Sequence, residues 1–400
     1  MINLRLKLDL IDRTKVNTKN IDMKLSQLPI LKSWFQFQGR HWWFSLFLWL
    51  FLILPAQAAT ELRVAIKDGS RQLNIGSSTT AIVRNGSGQK VGEIEAMNAF
   101  NAQPNGGNVA LGNWQSNQLW IEPSGDGYVW IGGKWYRGRV RLLNRGQGLV
   151  AVNHVDLDEY LYSVVGAEMV PSWHAEALKS QAVAARTYAL YKSAKSNNSL
   201  YDLDTTTATQ VYRGLETETY STHEAVNSTT GQVMTHNGQI ILAVFHSSSG
   251  GHTENVEDIW SSPLPYLRGV VDYDQNAPVF QWTKSFSSGD LTNRLGGVGT
   301  IKSMIPQEKT PRGRVVKMKV VGSRGTKYMK GSDIRKALGL RSTLFSVNGS
   351  GGNFQVSGRG FGHGVGLSQW GAQNMAQQGS SYRNILGHYY QNATISNLGR

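Results

Sequence analysis

The chain has 400 residues, 40% of them hydrophobic and 17% charged, with 44 Gly, 12 Trp and no Cys. That length holds one large domain or two ordinary ones, and the apolar content excludes wholesale disorder. The missing cysteine excludes disulfides, thiolate metal ligands and a cysteine nucleophile. The formal net charge is +14, but the first 40 residues carry eight Lys or Arg against three Asp, so +9 belongs to the remainder.

Residues 42–54, WWFSLFLWLFLIL, are almost unbroken apolar. The run is short of the roughly 20 residues of a membrane span. It is followed by Pro55 and by Ala56-x-Ala58, a small-residue cleavage pattern. Residues 1–58 therefore read as a secretory signal peptide with a long basic leader, cut after Ala58, with an uncleaved membrane anchor as the alternative and Met23 as an alternative start. Either way the rest of the chain is expected outside the cytoplasm, in the periplasm or cell wall. In that compartment the basic charge points to anionic wall polymer or a membrane surface rather than to nucleic acid.

Residues 61–67 alternate like a strand, and 111–143 are β-rich. Within YVWIGGKWYRGRV, at 128–140, Gly132-Gly133 separates two aromatic, β-branched runs, a two-residue hairpin signal. Trp114, Trp120, Trp130 and Trp135 lie here and suit core packing better than a sugar platform. Residues 171–195 are the strongest helix, with Ser172 as its cap, Glu176 a turn in, and Ala177, Leu178, Ala182, Ala185 and Ala189 on one small-residue stripe. A hairpin turns at Asn237-Gly238. Between about 280 and 345 the composition shifts towards Lys and Arg, with a short helix at SDIRKALG capped by Ser332 and stopped by Gly339. A strand at 354–358 leads into a glycine run, and a last helix starts at Ser368 and ends by Gly379. The expected fold class is α+β: a β-rich N-terminal region over 60–145, a core in two parts over 146–280 and 346–395, and a smaller α+β domain inserted over 281–345.

Three stretches carry chemistry. The first is the run GRGFGHGVGLSQWGAQ, with glycine at every second position from Gly358 to Gly366. A dinucleotide loop needs glycines at p, p+2 and p+5, and no register here supplies the third; no Gly-Lys-Ser/Thr follows for a P-loop either. Period-two glycine predicts extended backbone with one bare face, open to close approach by another backbone or a ligand. His363 would lie on the opposite face. In the second stretch, Glu168 sits between VVGA and MVP, where desolvation favours its neutral form and fits it for proton transfer. Arg186 lies eighteen residues on, placed to orient a polar substrate, to pair with Glu168, or to form a structural ion pair; spacing alone favours the last. In the third, FHSSSGGHTENVEDIW, three serines before Gly250-Gly251 make a loop of donors, and His246, His252 and Asp258 are spaced by six. That spacing lacks the compact ligand pairs of a metal motif, and no Gly-x-Ser-x-Gly elbow is present.

Together, AEMVPSWHAEALKSQAVAARTYA, ATQVYRG, FHSSSGGHTENVEDIW, RKALGLRSTLF and the glycine run resemble the SpoIID/LytB family of peptidoglycan proteins, in family order across about 146–390. The resemblance implies a SpoIID-like catalytic core and a lytic transglycosylase that cuts the β-1,4 bond from N-acetylmuramic acid to N-acetylglucosamine in peptide-stripped glycan, leaving 1,6-anhydro ends. It assigns catalysis to Glu168 and Arg186, and substrate binding to Gln210, Tyr212, Ser247, Ser248, Gly250, Gly251, His363 and Gln369. It implies peptidoglycan strands as partner, no nucleic acid, a membrane only if the leader stays uncleaved, and no cofactor. Some family members hold zinc through His and Cys near the third stretch; with no cysteine, no metal is assigned here. A role also suggested within the family, a non-catalytic glycan binder that stimulates a cell-wall amidase, is the alternative.

Overall fold

The computed structural model describes residues 60–146, 148–206, 209–260, 262–349 and 352–398. The leader expected over 1–58 lies outside them, and all the described residues belong to the unit from Ala59 onward.

Twelve strands open the fold: β1 (Glu61–Ser70), β2 (Leu73–Ser77), β3 (Ala81–Arg84), β4 (Lys90–Ile94), β5 (Ala99–Asn105), β6 (Asn108–Leu111), β7 (Trp114–Ser116), β8 (Gln118–Pro123), β9 (Val129–Ile131), β10 (Lys134–Tyr136), β11 (Arg139–Asn144) and β12 (Leu149–Asp156). They build two sheets, in the orders β1-β12-β11-β8-β3-β4 and β10-β9-β2-β5-β6-β7; a short strand β13 (Leu203–Asp204) extends the first by pairing parallel to β1. Alternate residues point inward, Leu119 and Ile121 on β8 and Val140 and Leu142 on β11, and both sheets share one apolar core. The hairpin at Gly132-Gly133 forms as expected, both glycines in the left-handed region. Of the four tryptophans, Trp130 packs edge-on to Trp135 and Trp114 edge-on to Phe100, while Trp120 lies under the Arg139 and Arg141 guanidinium groups.

Helix α1 (Leu157–Glu168) follows β12 directly, its N-terminal amides capped by the Asp156 carboxylate at 2.8 Å to Asp158 N–H. It stops because Pro171 holds Val170 out of the helical region, which leaves Glu168 as its last residue. Helix α2 (Ala175–Lys195) is capped by His174, whose Nδ1 accepts from Glu176 N–H at 3.2 Å, rather than by Ser172. The expected stripe Ala177, Leu178, Ala182, Ala185 and Ala189 is buried, and so are Val183 and Ala184. Small side chains let α1, α3 (Tyr220–Asn227), α7 (Gln369–Gln377) and α8 (Tyr382–Tyr389) all pack against this central helix. The same core continues through β14 (Gln232–His236) and β15 (Gln239–Ile240), which turn at Asn237-Gly238, and through β16 (Phe245–His246) and a single helical turn, α4 (Val256–Ile259).

A second apolar core runs from Trp282 to Val356. It fills the space among β17 (Gln281–Ser287), α5 (Ser288–Leu295), β18 (Ile301–Lys309), β19 (Val315–Gly322), β20 (Gly325–Lys330), α6 (Gly331–Leu338), β21 (Phe345–Asn348) and β22 (Asn353–Arg359). The order β17-β22-β21 brings the strand that leads into the glycine run into this layer. Helix α6 ends at Gly339, in the left-handed region as its position predicts, but its cap residue is Lys330 with no side-chain bond, not Ser332. The chain then returns to the first core through β23 (Leu367–Ser368), paired with β16, and β24 (Thr394–Asn397), paired with β14.

The β-rich half is pinned to the helices where the Gly132-Gly133 hairpin meets residues 213–218. Gly214 has φ +66, and a Cβ there would overlap the Trp135 carbonyl oxygen. Lys134 pairs with Glu216 and Arg137 with Glu218 across the same joint. Gly214→Ala combines left-handed backbone with overlap against main chain, so it is expected to cost about 1–3 kcal/mol. Equilibrium urea unfolding measures this, and an unchanged midpoint would show that the joint yields freely.

Candidate active site

A cleft of about 550 Å³ opens between α1, β16, the glycine run and α6. Glu168, Val211, His246, Trp260, Arg335 and His363 are among its walls, together with Tyr188, Lys192, Phe245 and Gly362. Glu168 stands at the C-terminal end of α1, half-buried, with Oε1 accepting from Val211 N–H at 3.0 Å and the Gln369 side chain as a second hydrogen-bond partner. Desolvation pushes its carboxyl above the ordinary range, against the opposing pull of those two bonds and of the Arg213 charge. It is the one carboxylate among the described residues that line the cleft.

The histidine side of the cleft is neutral. His363 Nε2 faces the Phe245 carbonyl at 2.9 Å, and its Nδ1 accepts from Val365 N–H at 3.1 Å. Only the Nε2–H tautomer satisfies both, and a second proton would meet the Val365 donor. Burial and the Arg314 charge accordingly push the ring down to about 4. His363 therefore offers the cleft a ring face, 5.2 Å from Trp260 and from His246, rather than a proton. His246 faces the Val365 carbonyl through Nδ1 at 3.2 Å, which leaves Nε2 a buried acceptor without a partner.

The expected bare face of the glycine run takes a different form. Gly360, Gly362, Gly364 and Gly366 all have positive φ, so the run is not an extended strand beyond Arg359. From Gly360 to Gly366, every second residue is glycine because it is left-handed; Gly358 lies in the strand and is glycine because a Cβ would meet the Trp282 ring. The space a Cβ would need is filled by protein: Ser248 and Ser249 main chain at Gly360, His246 at Gly362, Arg314 at Gly364 and the Val244 carbonyl at Gly366. The run packs on residues 244–250; the His363 ring lies against Phe245 and His246, while Phe361 is exposed.

The serine-glycine loop is held from beneath by two buried aspartates. Ser248 Oγ donates to Asp274 at 2.5 Å and Gly250 N–H to the same carboxylate at 2.8 Å. Ser249 Oγ and Tyr389 OH donate to Asp272 at 2.5 and 2.6 Å. Burial and the Asp274 charge beside it push the Asp272 carboxyl up. Ser248, Gly250 and Gly251 are thus structural here, Ser248 fully buried, and none of them lines the cleft; half-buried Ser247 takes Trp370 N–H on its carbonyl.

Three further expected residues lie elsewhere. Arg186, to which the resemblance assigns catalysis and spacing a structural ion pair, is fully buried and pairs with Asp158 at 2.8 Å; it also donates to the Val226 and Gln232 carbonyls, tying α2 to the end of α3. Gln210 is buried between Tyr160 OH and the Ala185 carbonyl, and Tyr212 donates to Asn153 beneath the sheet. Gln369 reaches Glu168 itself and holds the carboxylate, its amide 3.5 Å from Gln181. The three spaced metal candidates do not gather: His252 Nδ1 is 2.6 Å from the Thr253 carbonyl, Asp258 accepts from Asn255, and no trio of ligating side chains converges among the described residues. Placed apart in this way, the three side chains do not form a zinc site. Trp260, Lys192 and Arg335 were missed by sequence reasoning. Arg335 comes from the inserted layer, where nothing local separates it from a solvated basic residue.

Comparison with known proteins agrees with these motifs. The family described as Stage II sporulation protein matches residues 145–236, and a domain of unknown function matches 267–366. Stage II sporulation protein D of Bacillus subtilis is 37% identical over 270 residues, 62% of this chain and 76% of that protein. An uncharacterized protein of Brachyspira hyodysenteriae is 35% identical over 283 residues, 69% of this chain and 76% of the other. The amidase enhancer of Bacillus subtilis is 31% identical over 362 residues, 74% of this chain and 50% of its own length.

Because Arg186 is paired away from the cleft, Arg186→Met is expected to cost about 3 kcal/mol, the low end for a broken buried pair since Asp158 keeps some water. Denaturant unfolding reads that loss. The Glu168 titration, followed by carbon NMR, should not move; a clear shift would show that Arg186 acts on the site.

Proposed function

The chain belongs to the SpoIID/LytB family and has a cell-wall function, and on that premise we propose that it is an exported lytic transglycosylase acting on peptide-stripped glycan through Glu168. The observation that carries this reading is a single carboxylate among the described residues that line the cleft, half-buried and pushed towards its protonated form. A glycosidase that activates water needs two carboxyl groups, about 5–5.5 Å apart for retention or 6.5–9.5 Å for inversion. A transglycosylase manages with one, because the muramyl residue supplies its own nucleophile.

The step balances without water. Glu168 gives its proton to the glycosidic oxygen as the C1–O4 bond breaks. The 6-hydroxyl oxygen of the same muramyl residue attacks C1, and its proton returns to Glu168. The product is the 1,6-anhydro end, and the carboxyl is restored. Val211 N–H and Gln369 orient the carboxylate between the two transfers, while His363 and Trp260 present ring faces suited to the apolar face of a sugar.

The alternative is a glycan binder that stimulates a cell-wall amidase, and the amidase-enhancer relative favours it. The two readings part at Glu168. Glu168→Gln is expected to lower release of anhydro-ended product from denuded glycan by roughly 10²–10⁴-fold, read by mass spectrometry of the digest. If wild type releases none, the binder reading stands; if the variant keeps full activity, another group is the acid. A raised folded-state carboxyl binds its proton more tightly than the unfolded chain does. Ionised Glu168 therefore opposes folding above its folded-state pKa, and that penalty fades as the pH falls through it. The variant is expected to be as stable as wild type or more so at pH 7, with the difference shrinking towards pH 4. Thermal melts at the two pH values check the sign.

A further inference from the structure

Val211, whose amide holds Glu168, also lines a second cavity of about 360 Å³ on the other side of the 209–213 segment. The β9–β10 hairpin forms its opposite wall, so the joint that pins the β-rich half to the helices also builds this space. Its floor is apolar and includes the buried rings of Tyr136 and Tyr212. Its rim carries Lys67, Lys134 and Arg213, and no Asp or Glu is among the described lining residues. Lys134 is tied to Glu216, but Lys67 and Arg213 are exposed and have no ion-pair partner among the described residues. Arg213 also lies close enough to Glu168 for its charge to act there. On the Glu168 side, Lys192 and Arg335 likewise face the cleft without ion pairs among the described residues. Cations on both sides of Val211 thus surround one carboxylate, over floors that suit a sugar ring.

A merely solvated basic rim would be convex; this one is concave, and after Glu216 neutralises Lys134 it keeps Lys67 and Arg213 without ion pairs among the described residues. The chemistry that fits is a sugar with an apolar face and one negative charge. Muramic acid carries a lactyl ether ending in a carboxyl group, which is an anion when free and a neutral amide when a peptide is attached. We infer that the cavity behind Val211 is a second sugar subsite, in which Lys67 and Arg213 bind the free lactyl carboxylate of a muramic acid residue. This inference rests on the glycan-cleft reading and deepens it: the β-rich half then takes part in choosing peptide-free strands, through charge as well as bulk.

The test is binding to the Glu168→Gln protein, which removes turnover and so separates binding from the proposed catalysis. Three probes of equal length are titrated: chitohexaose, a denuded glycan hexasaccharide with free lactyl carboxylates, and the same hexasaccharide with those carboxylates amidated. The free-carboxylate glycan is expected to bind roughly tenfold more tightly than the amidated one at low ionic strength, with the preference shrinking as salt rises. Adding Lys67→Gln should cut the preference to about two- to threefold and leave chitohexaose binding unchanged, while Lys67→Arg restores it. An undiminished preference in Lys67→Gln, or no preference in the parent, overturns the subsite while leaving the cleft reading intact. Failure of all three probes to bind overturns both. Competition by a glycerol-phosphate oligomer as strong as that of the carboxylated glycan would mean the rim reads phosphodiester charge, and the assignment would fall.

Discussion

The cleft depends on keeping two carboxyl groups, Asp272 and Asp274, inside the protein. Between them they take hydrogen bonds from Ser248, Ser249, Gly250 and Tyr389. Those bonds fix the 247–251 loop, and the loop exchanges main-chain bonds with Phe361, which sets the glycine run. Buried carboxyls are tolerated only when their lone pairs are met, so the serines and the glycine amide there are obligatory donors. Arg314 completes the arrangement from the inserted layer. It is buried, donates to the Ser249 carbonyl at 2.6 Å and lies 3.5 Å from Glu254. Asp274 Oδ1 and Arg314 Nη1 have no hydrogen-bond partner among the described residues, so removing a serine or glycine donor would add to polar groups already stranded beneath the cleft.

That foundation explains the electrostatic character of the cleft above it. Both histidines are held neutral by burial and by the Arg314 charge, against the opposing pull of their main-chain carbonyl partners. The titrating acid of the cleft is therefore Glu168, whose carboxyl is raised by the same exclusion of water that makes proton transfer effective. The Val211 and Gln369 hydrogen bonds and the Arg213 charge pull the other way, towards an ionised Glu168. Desolvation outweighs them, and Arg213 acts weakly because it is exposed to water.

How much of this was legible in the sequence depends on distance along the chain. Features set by neighbouring residues could be read: the hairpins at Gly132-Gly133 and Asn237-Gly238, the Ser368 cap, the left-handed stop at Gly339, and a desolvated Glu168 among apolar neighbours. Features set by remote partners could not. Arg186 reads as a structural ion pair from spacing, but which residue it pairs with cannot be read: Asp158 lies twenty-eight positions away and on another helix. Alternating glycine has two physical origins, extended backbone or left-handed φ, and composition alone does not separate them. Asp272 and Asp274 sit in VVDYDQN, which looks like a surface turn; only their burial beneath two serines reveals their task.

The last strands carry a consequence for how the molecule comes into being. Glu168 lies in the first half of the chain, but the wall opposite it is made by residues 362–369, and β24 seals the central helices only at Thr394–Asn397. Chains generally fold domain by domain from the N-terminus as they emerge. Here the β-rich half has all its strands but β13 before Glu168 appears, whereas the cleft must wait for residues 362–369. A nascent or truncated chain that stops short of them therefore holds Glu168 without a cleft around it. Order of synthesis itself keeps this carboxyl apart from its opposite wall until that segment has been made.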